Sequence, residues 1–130
     1  MPHSKDTNPD RIFALIPEMS DQDKALIVRA CTFAKNAHEG QLRKSGEPYY
    51  NHVFATGLNL ATLKMDADTI AAGIMHDVLE DTPVTEEEMT KEFGEHITKL
   101  VCGVTKLGKL RYTGAERHVE SLRKFFVAMA

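Results

Sequence analysis

Apolar residues recur at helical spacing along this 130-residue chain, and no stretch alternates apolar and polar positions as a half-buried strand would. The expected fold is therefore all-α, built from short helices joined by polar turns. Ser20 stands where an N-cap belongs, ahead of a helix from about Asp21 that carries Leu26, Ala30, Phe33, Ala34 and Ala37 on one face until Gly40 stops it. Residues 41–51 are polar, and Ser45, Gly46, Glu47 and Pro48 read as a turn. The next helix is expected over about 51–63. Asp66 then caps another, with Ala67, Ile70, Ala71 and Ile74 on its apolar face.

After a turn at Pro83, Thr85 and Glu88 have the spacing of a capping box for a helix that ends at Gly94. A further helix carries Ile97, Leu100, Val101 and Val104 as far as Gly108. Residues 109–114 are expected to form a basic loop. A last helix from near Ala115 carries Leu122, Phe125, Phe126 and Met129 at helical spacing. That face needs a partner, and no glycine or cap closes the helix before Ala130. The chain is therefore expected to be a fragment of something longer, with self-association through the Phe125, Phe126 and Met129 face. Residues 1–20 form an N-terminal segment, partly helical or disordered, ahead of one domain over 21–130.

Composition narrows the function. The length fits a single domain, with 42% hydrophobic residues to fill its core. The net charge of −3 is not that of a general nucleic-acid binder, so no DNA partner is expected. The longest apolar run, residues 125–130, is far short of the ~18 that span a bilayer, so no membrane partner is expected either. The polar N-terminus has no apolar signal core, and Cys31 and Cys102 lack metal-type spacing. A cytoplasmic protein with two buried thiols is the expectation.

Charge is unevenly distributed. Eight acids lie between Asp77 and Glu95 against one base, Lys91, whereas six bases lie between Val104 and Lys124 against two acids. Such blocks are ordinarily solvated faces. They also suit a pocket with one wall for a cation and another for phosphate.

The segment His76-Asp77-Val78-Leu79-Glu80-Asp81 is the strongest local feature. If it is helical, His76 and Asp77 turn toward one point, and Glu80 and Asp81 fall one turn further along the same face. Three carboxylates crowded at a helix C-terminus repel one another and the helix dipole unless a cation is present. His52, 24 residues before His76, can supply a second imidazole from the preceding helix. Mixed imidazole and carboxylate ligands suit Mn²⁺, Fe²⁺ or Zn²⁺ in a hydrolytic role.

A histidine followed by a His-Asp doublet is the pattern of the HD-superfamily metal phosphohydrolases. Ala37-His38-Glu39-Gly40-Gln41, Arg43-Lys44-Ser45-Gly46-Glu47-Pro48-Tyr49, His52, His76 to Thr82, Phe93-Gly94 and Gly103-Val104-Thr105-Lys106-Leu107 together resemble the hydrolase domain of the RelA/SpoT homologues. That resemblance implies an HD-domain helical bundle that removes the 3′-diphosphate of the alarmone (p)ppGpp. It implies His52, His76 and Asp77 as ligands to Mn²⁺ or another divalent metal, and Glu80 and Asp81 as the residues that position or deprotonate water. Arg43 would stack on guanine, with Lys44 and Ser45 in the same pocket and Lys106, Lys109 and Arg111 near phosphates. His38 is expected to pack in the core or behind the site, and His3, His96 and His118 to be surface or structural. Val53 stands where the family usually has proline, and the family's further Asp ligand belongs to a helix expected beyond Ala130. Two alternatives stay open: an HD phosphohydrolase for another nucleotide, and a catalytically dead regulatory HD domain.

Overall fold

The computed structural model describes residues 6–110, with side chains through residue 103. Seven helices succeed one another there: α1 (Asp10–Leu15), α2 (Asp21–Ala37), α3 (Tyr49–Thr62), α4 (Ala67–Ile74), α5 (Val78–Asp81), α6 (Glu86–Phe93) and α7 (Glu95–Leu110). Leu42 and Pro48 make one isolated antiparallel bridge, and no strand forms among the described residues. The fold is all-α, as the periodicity requires.

The caps hold the helices where the sequence puts them. Ser20 accepts from the backbone N–H of Asp23, Asp66 accepts from that of Thr69, and Thr85 and Glu88 exchange both bonds of a capping box. Each satisfies donors that an open helix end would leave unpaired.

α4 sits at the centre. Ala67 and every residue from Ile70 through Ile74 are buried. A helix apolar on all sides must be enclosed, and α2, α3 and α7 pack against it. Gly73 is what lets α3 come so close: a methyl group there would stand 2.2 Å from Cδ1 of Leu60. This contact fixes the end of α4 beside α3, and so brings His76 toward the first turns of α3.

Several expectations need correction. α3 begins at Tyr49, two residues earlier than the periodicity indicated, because Pro48 provides a preset φ just ahead of the helix. Val53 lies well inside that helix and is fully buried, so its place in the core is secure. The buried stripe of α2 is Ile27, Ala30, Cys31 and Ala34, with Leu26, Phe33 and Ala37 at its half-buried margin. Cys102 is half-buried, and only Cys31 of the two free thiols is fully enclosed. α7 continues through Gly108 to Leu110, which places Lys109 in a helix rather than a loop. An interior glycine costs about 1 kcal/mol relative to alanine, which a helix of 16 residues absorbs.

Residues 10–15 form α1 and bury Ile12 completely in the shared core, so this part of the N-terminal segment packs with the helices that follow. No helix among the described residues is long and apolar enough to cross a membrane. The expected last helix with Phe125, Phe126 and Met129, together with His3, Arg111 and His118, lies outside the described residues, as do the side chains of Lys106 and Lys109.

Candidate active site

The helix carrying Ile70 and Ile74 does not run on through the acidic cluster. α4 closes at Met75, His76 and Asp77 occupy the turn that follows, and α5 starts at Val78 with Asp77 as its N-cap residue. The expectation of one continuous helical face is thus half right. Asp77 and Asp81 are one helical turn apart, with the N–H of Asp81 donating to the carbonyl of Asp77 at 2.9 Å. His76 belongs to the end of α4 instead.

That position sets the chemistry of His76. Its ring is 2% exposed, and Nδ1 lies 2.6 Å from the carbonyl oxygen of Gly73. A carbonyl can only accept, so Nδ1 carries the hydrogen and caps a terminal carbonyl of α4. Nε2 is the nitrogen presented to Asp77, 3.2 Å from its Oδ2. At that separation a proton or a cation must lie between the nitrogen and the carboxylate oxygen. The donor set therefore fits a shared divalent ion. Fixing one imidazole nitrogen on a backbone carbonyl while presenting the other is also how metal-binding histidines are held.

The three acids crowd as anticipated. Although Asp81 is exposed overall, partial burial together with the nearby Asp77 and Glu80 carboxylates raises its carboxyl above the usual range, with His38 and His76 opposing them. The charged form is thus disfavoured in the folded chain. Asp81 costs stability above its folded pKa, and that cost disappears as pH falls below the unfolded value. Asp81→Asn should accordingly melt no lower than wild type in EDTA at neutral pH. Any advantage should vanish under acid conditions that protonate the carboxylates. Thermal denaturation across pH checks this, and a variant less stable at pH 7 would contradict it.

His52 is reached through two neighbours. Nη1 of Arg43 lies 3.3 Å from its Nδ1, and since a guanidinium only donates, that nitrogen accepts. The ring of Tyr49, one turn earlier on α3, lies 5.6 Å from the His52 ring, and the Tyr49 hydroxyl donates to Oδ2 of Asp77 at 2.5 Å. Tyr49 thus connects His52 to the His76–Asp77 pair. Among the described residues no three His, Cys, Asp or Glu side chains converge closely enough to hold a metal by themselves. The structure brings His76 and Asp77 together and leaves His52 linked to them through Tyr49.

The polar stretch ahead of α3 forms a cleft. The N–H of Arg43 bonds to the carbonyl of Glu47, and Gly46, at φ +93°, returns its N–H to the carbonyl of Arg43. Only glycine adopts that backbone without strain. The resulting cleft, of about 720 Å³, is lined by Leu42, Arg43, Lys44, Ser45, Glu47 and Tyr49. Its size suits a small-molecule ligand. Leu42, 64% exposed, gives it an apolar surface beside the cations. Because Tyr49 lines the cleft and also touches Asp77, the expected nucleotide residues adjoin the expected metal residues.

Two supporting residues stand in the family-like motifs with no role expected of them. Gln41 donates from Nε2 to the carbonyl of Asp81 at 2.6 Å, while its Oε1 accepts from Nδ1 of buried His38 at 3.0 Å. This chain ties the turn after α2 to the end of α5. Tyr49 is the other, and burial first, then the hydrogen bond to Asp77, pushes its hydroxyl well above the usual phenol range, keeping it a donor. The i, i+3 spacing of Tyr49 and His52 on one helix was a readable sign, whereas Gln41 was marked only as the end of the Ala37 to Gln41 motif. His96 is exposed and lies 3.3 Å from Asp68 in the first turn of α4, the opposite end of that helix from His76.

Comparison with known proteins gives a consistent picture. A family model described as the HD domain matches residues 30–130. The chain is 49% identical over 104 residues to a guanosine-3′,5′-bis(diphosphate) 3′-pyrophosphohydrolase of Aquifex aeolicus, covering 80% of this chain and 15% of that protein. It is 45% identical over 115 residues to the bifunctional (p)ppGpp synthase/hydrolase SpoT of Escherichia coli, covering 88% and 16%. A GTP pyrophosphokinase of Myxococcus xanthus is 40% identical over 132 residues, covering 98% and 17%. The chain thus spans less than a fifth of the length of these relatives.

Proposed function

Since the chain belongs to the HD-domain family and, within it, to the RelA/SpoT group, we propose that it serves a metal-dependent hydrolase that converts (p)ppGpp to GDP or GTP and pyrophosphate. The observation that carries this reading is the His76–Asp77 pair, whose Nε2 and Oδ2 face each other at 3.2 Å beside the Arg43, Lys44 and Ser45 cleft. A generic phosphohydrolase would need the pair but not the cleft. The names of the relatives divide between hydrolase and pyrophosphokinase, and the HD residues favour the hydrolase.

In this reading His52, His76 and Asp77 would hold a divalent ion, with Mn²⁺ the preferred one. When bound, such an ion neutralises phosphate charge and makes water a competent nucleophile near neutral pH. The residues of the chain do the remainder. Arg43, a planar cation at the cleft, stacks on the guanine, and Lys44 and Ser45 hold the nucleotide against it. Lys106 and Lys109 are assigned to the phosphates. Glu80 and Asp81 orient the attacking water and accept its proton, a role that suits the raised carboxyl of Asp81. Water adds to the phosphorus bonded to ribose O3′, the O3′–P bond breaks, O3′ takes up a proton and pyrophosphate leaves. Phosphoryl transfer depends chiefly on such positioning and charge neutralisation.

The test is incubation of the full chain with (p)ppGpp and Mn²⁺, with products separated by ion-exchange chromatography. GDP or GTP and pyrophosphate in equal amounts are expected. Intact alarmone, or cleavage of a nucleotide lacking the 3′-diphosphate at the same rate, would overturn the assignment.

A further inference from the structure

Tyr49 stands at a junction that no assigned role explains. It occupies the first turn of α3, where its ring lies 5.6 Å from the ring of His52 and 4.9 Å from that of His38. Its hydroxyl reaches a residue 28 positions further along the chain, donating to Oδ2 of Asp77. That oxygen is the same one that faces Nε2 of His76. We propose that Tyr49 is a positioning residue for the metal pair, its hydroxyl fixing the Asp77 carboxylate while its ring seats His52.

The physical case concerns orientation. Asp77 lies in a turn between two helices, and its side chain, 16% exposed, makes no cap bond to α5. A donor bonded to an ionised carboxylate makes a short, charge-assisted bond that fixes one oxygen in place. His76 is already fixed by Gly73. With Tyr49 in place, both donors of the pair are held before an ion arrives, so binding costs less lost freedom. Partners of this kind typically change metal affinity by about 10–100-fold when removed. The ring contact adds a second function, because it places His52 on the same side chain that orients Asp77.

This inference rests on the metal-binding role given to His76 and Asp77, so the experiment separates the two. Mn²⁺ binding to the full chain is measured by titration calorimetry for wild type, Tyr49→Phe, Tyr50→Phe and Asp77→Asn. Melting temperatures in EDTA are recorded for each. Tyr49→Phe keeps the ring and removes only the hydroxyl; it should bind Mn²⁺ about 10–100-fold more weakly while still unfolding in one cooperative transition in EDTA. Tyr50→Phe removes a hydroxyl that faces Cys31 in the core and should bind as wild type does. Wild-type affinity in Tyr49→Phe, alongside lost binding in Asp77→Asn, would overturn the inference and leave the metal site standing. Equal affinity in wild type and Asp77→Asn, or no uptake by wild type, would overturn both.

Discussion

Replacing Asp77 by asparagine should lower the proposed (p)ppGpp hydrolysis by at least about 10–100-fold while the fold remains intact. Asparagine keeps the shape of the side chain and an oxygen to which Tyr49 can donate. The side chain also stays beside Nε2 of His76, which the wild-type carboxylate faces at 3.2 Å. The exchange therefore keeps the contacts of the side chain and removes the charge that attracts the ion. In EDTA the variant should melt near the wild-type temperature. Mn²⁺ should stabilise wild type, by about 2.7 kcal/mol at a hundred times its dissociation constant, and leave the variant unmoved. Melting curves with and without Mn²⁺, run beside pyrophosphate release, give both answers. A variant that keeps its metal-dependent shift and its turnover would remove Asp77 from the site.

Phe54→Ala should have the largest effect on stability. Phe54 is fully buried on α3, with the guanidinium of Arg11 from α1 over its ring at 5.9 Å and Tyr50 beside it. Truncating a buried phenylalanine removes its transfer free energy and leaves a cavity, together costing about 3–5 kcal/mol. That is a large part of the 5–15 kcal/mol typical of a domain. The consequence extends to the site, because α3 carries Tyr49 and His52 at its start. Loosening α3 against α1 and α4 loosens both. Urea denaturation should show a lower midpoint with an unchanged slope. Loss of less than about 1 kcal/mol would mean that α3 is held by something other than this core.

The parts of the fold that were legible in the sequence are those set by local chemistry. Ser20, Asp66 and the Thr85–Glu88 box cap helices because a side-chain oxygen next to an unpaired N–H is a local matter. The end of α4 was not legible. Apolar residues continue through Met75 and Val78, and neither glycine nor proline marks the turn at His76 and Asp77. The chain leaves the helix there as His76 caps Gly73, a choice supported by α3 pressing on Gly73 from outside.

The site divides the same way. Types and order of residues marked His76, Asp77, Glu80 and Asp81 and the Arg43 to Ser45 stretch as candidates. The connections among them were hidden, since Tyr49 to Asp77 and Gln41 to Asp81 join segments far apart in the chain. Such links depend on the packing of α3 against α4, and no periodicity encodes that. His52 was placed correctly on α3, near its start, but its partner in the structure is Arg43, a residue assigned to the base.

The central claim is that His76 and Asp77 share one divalent ion. Crystals of the full chain grown with Mn²⁺ and measured at the manganese absorption edge test it directly. The expected result is one strong anomalous peak at about 2.0–2.2 Å from both Nε2 of His76 and a carboxylate oxygen of Asp77. A peak elsewhere on the molecule, or an occupied crystal with none between these two side chains, would contradict it.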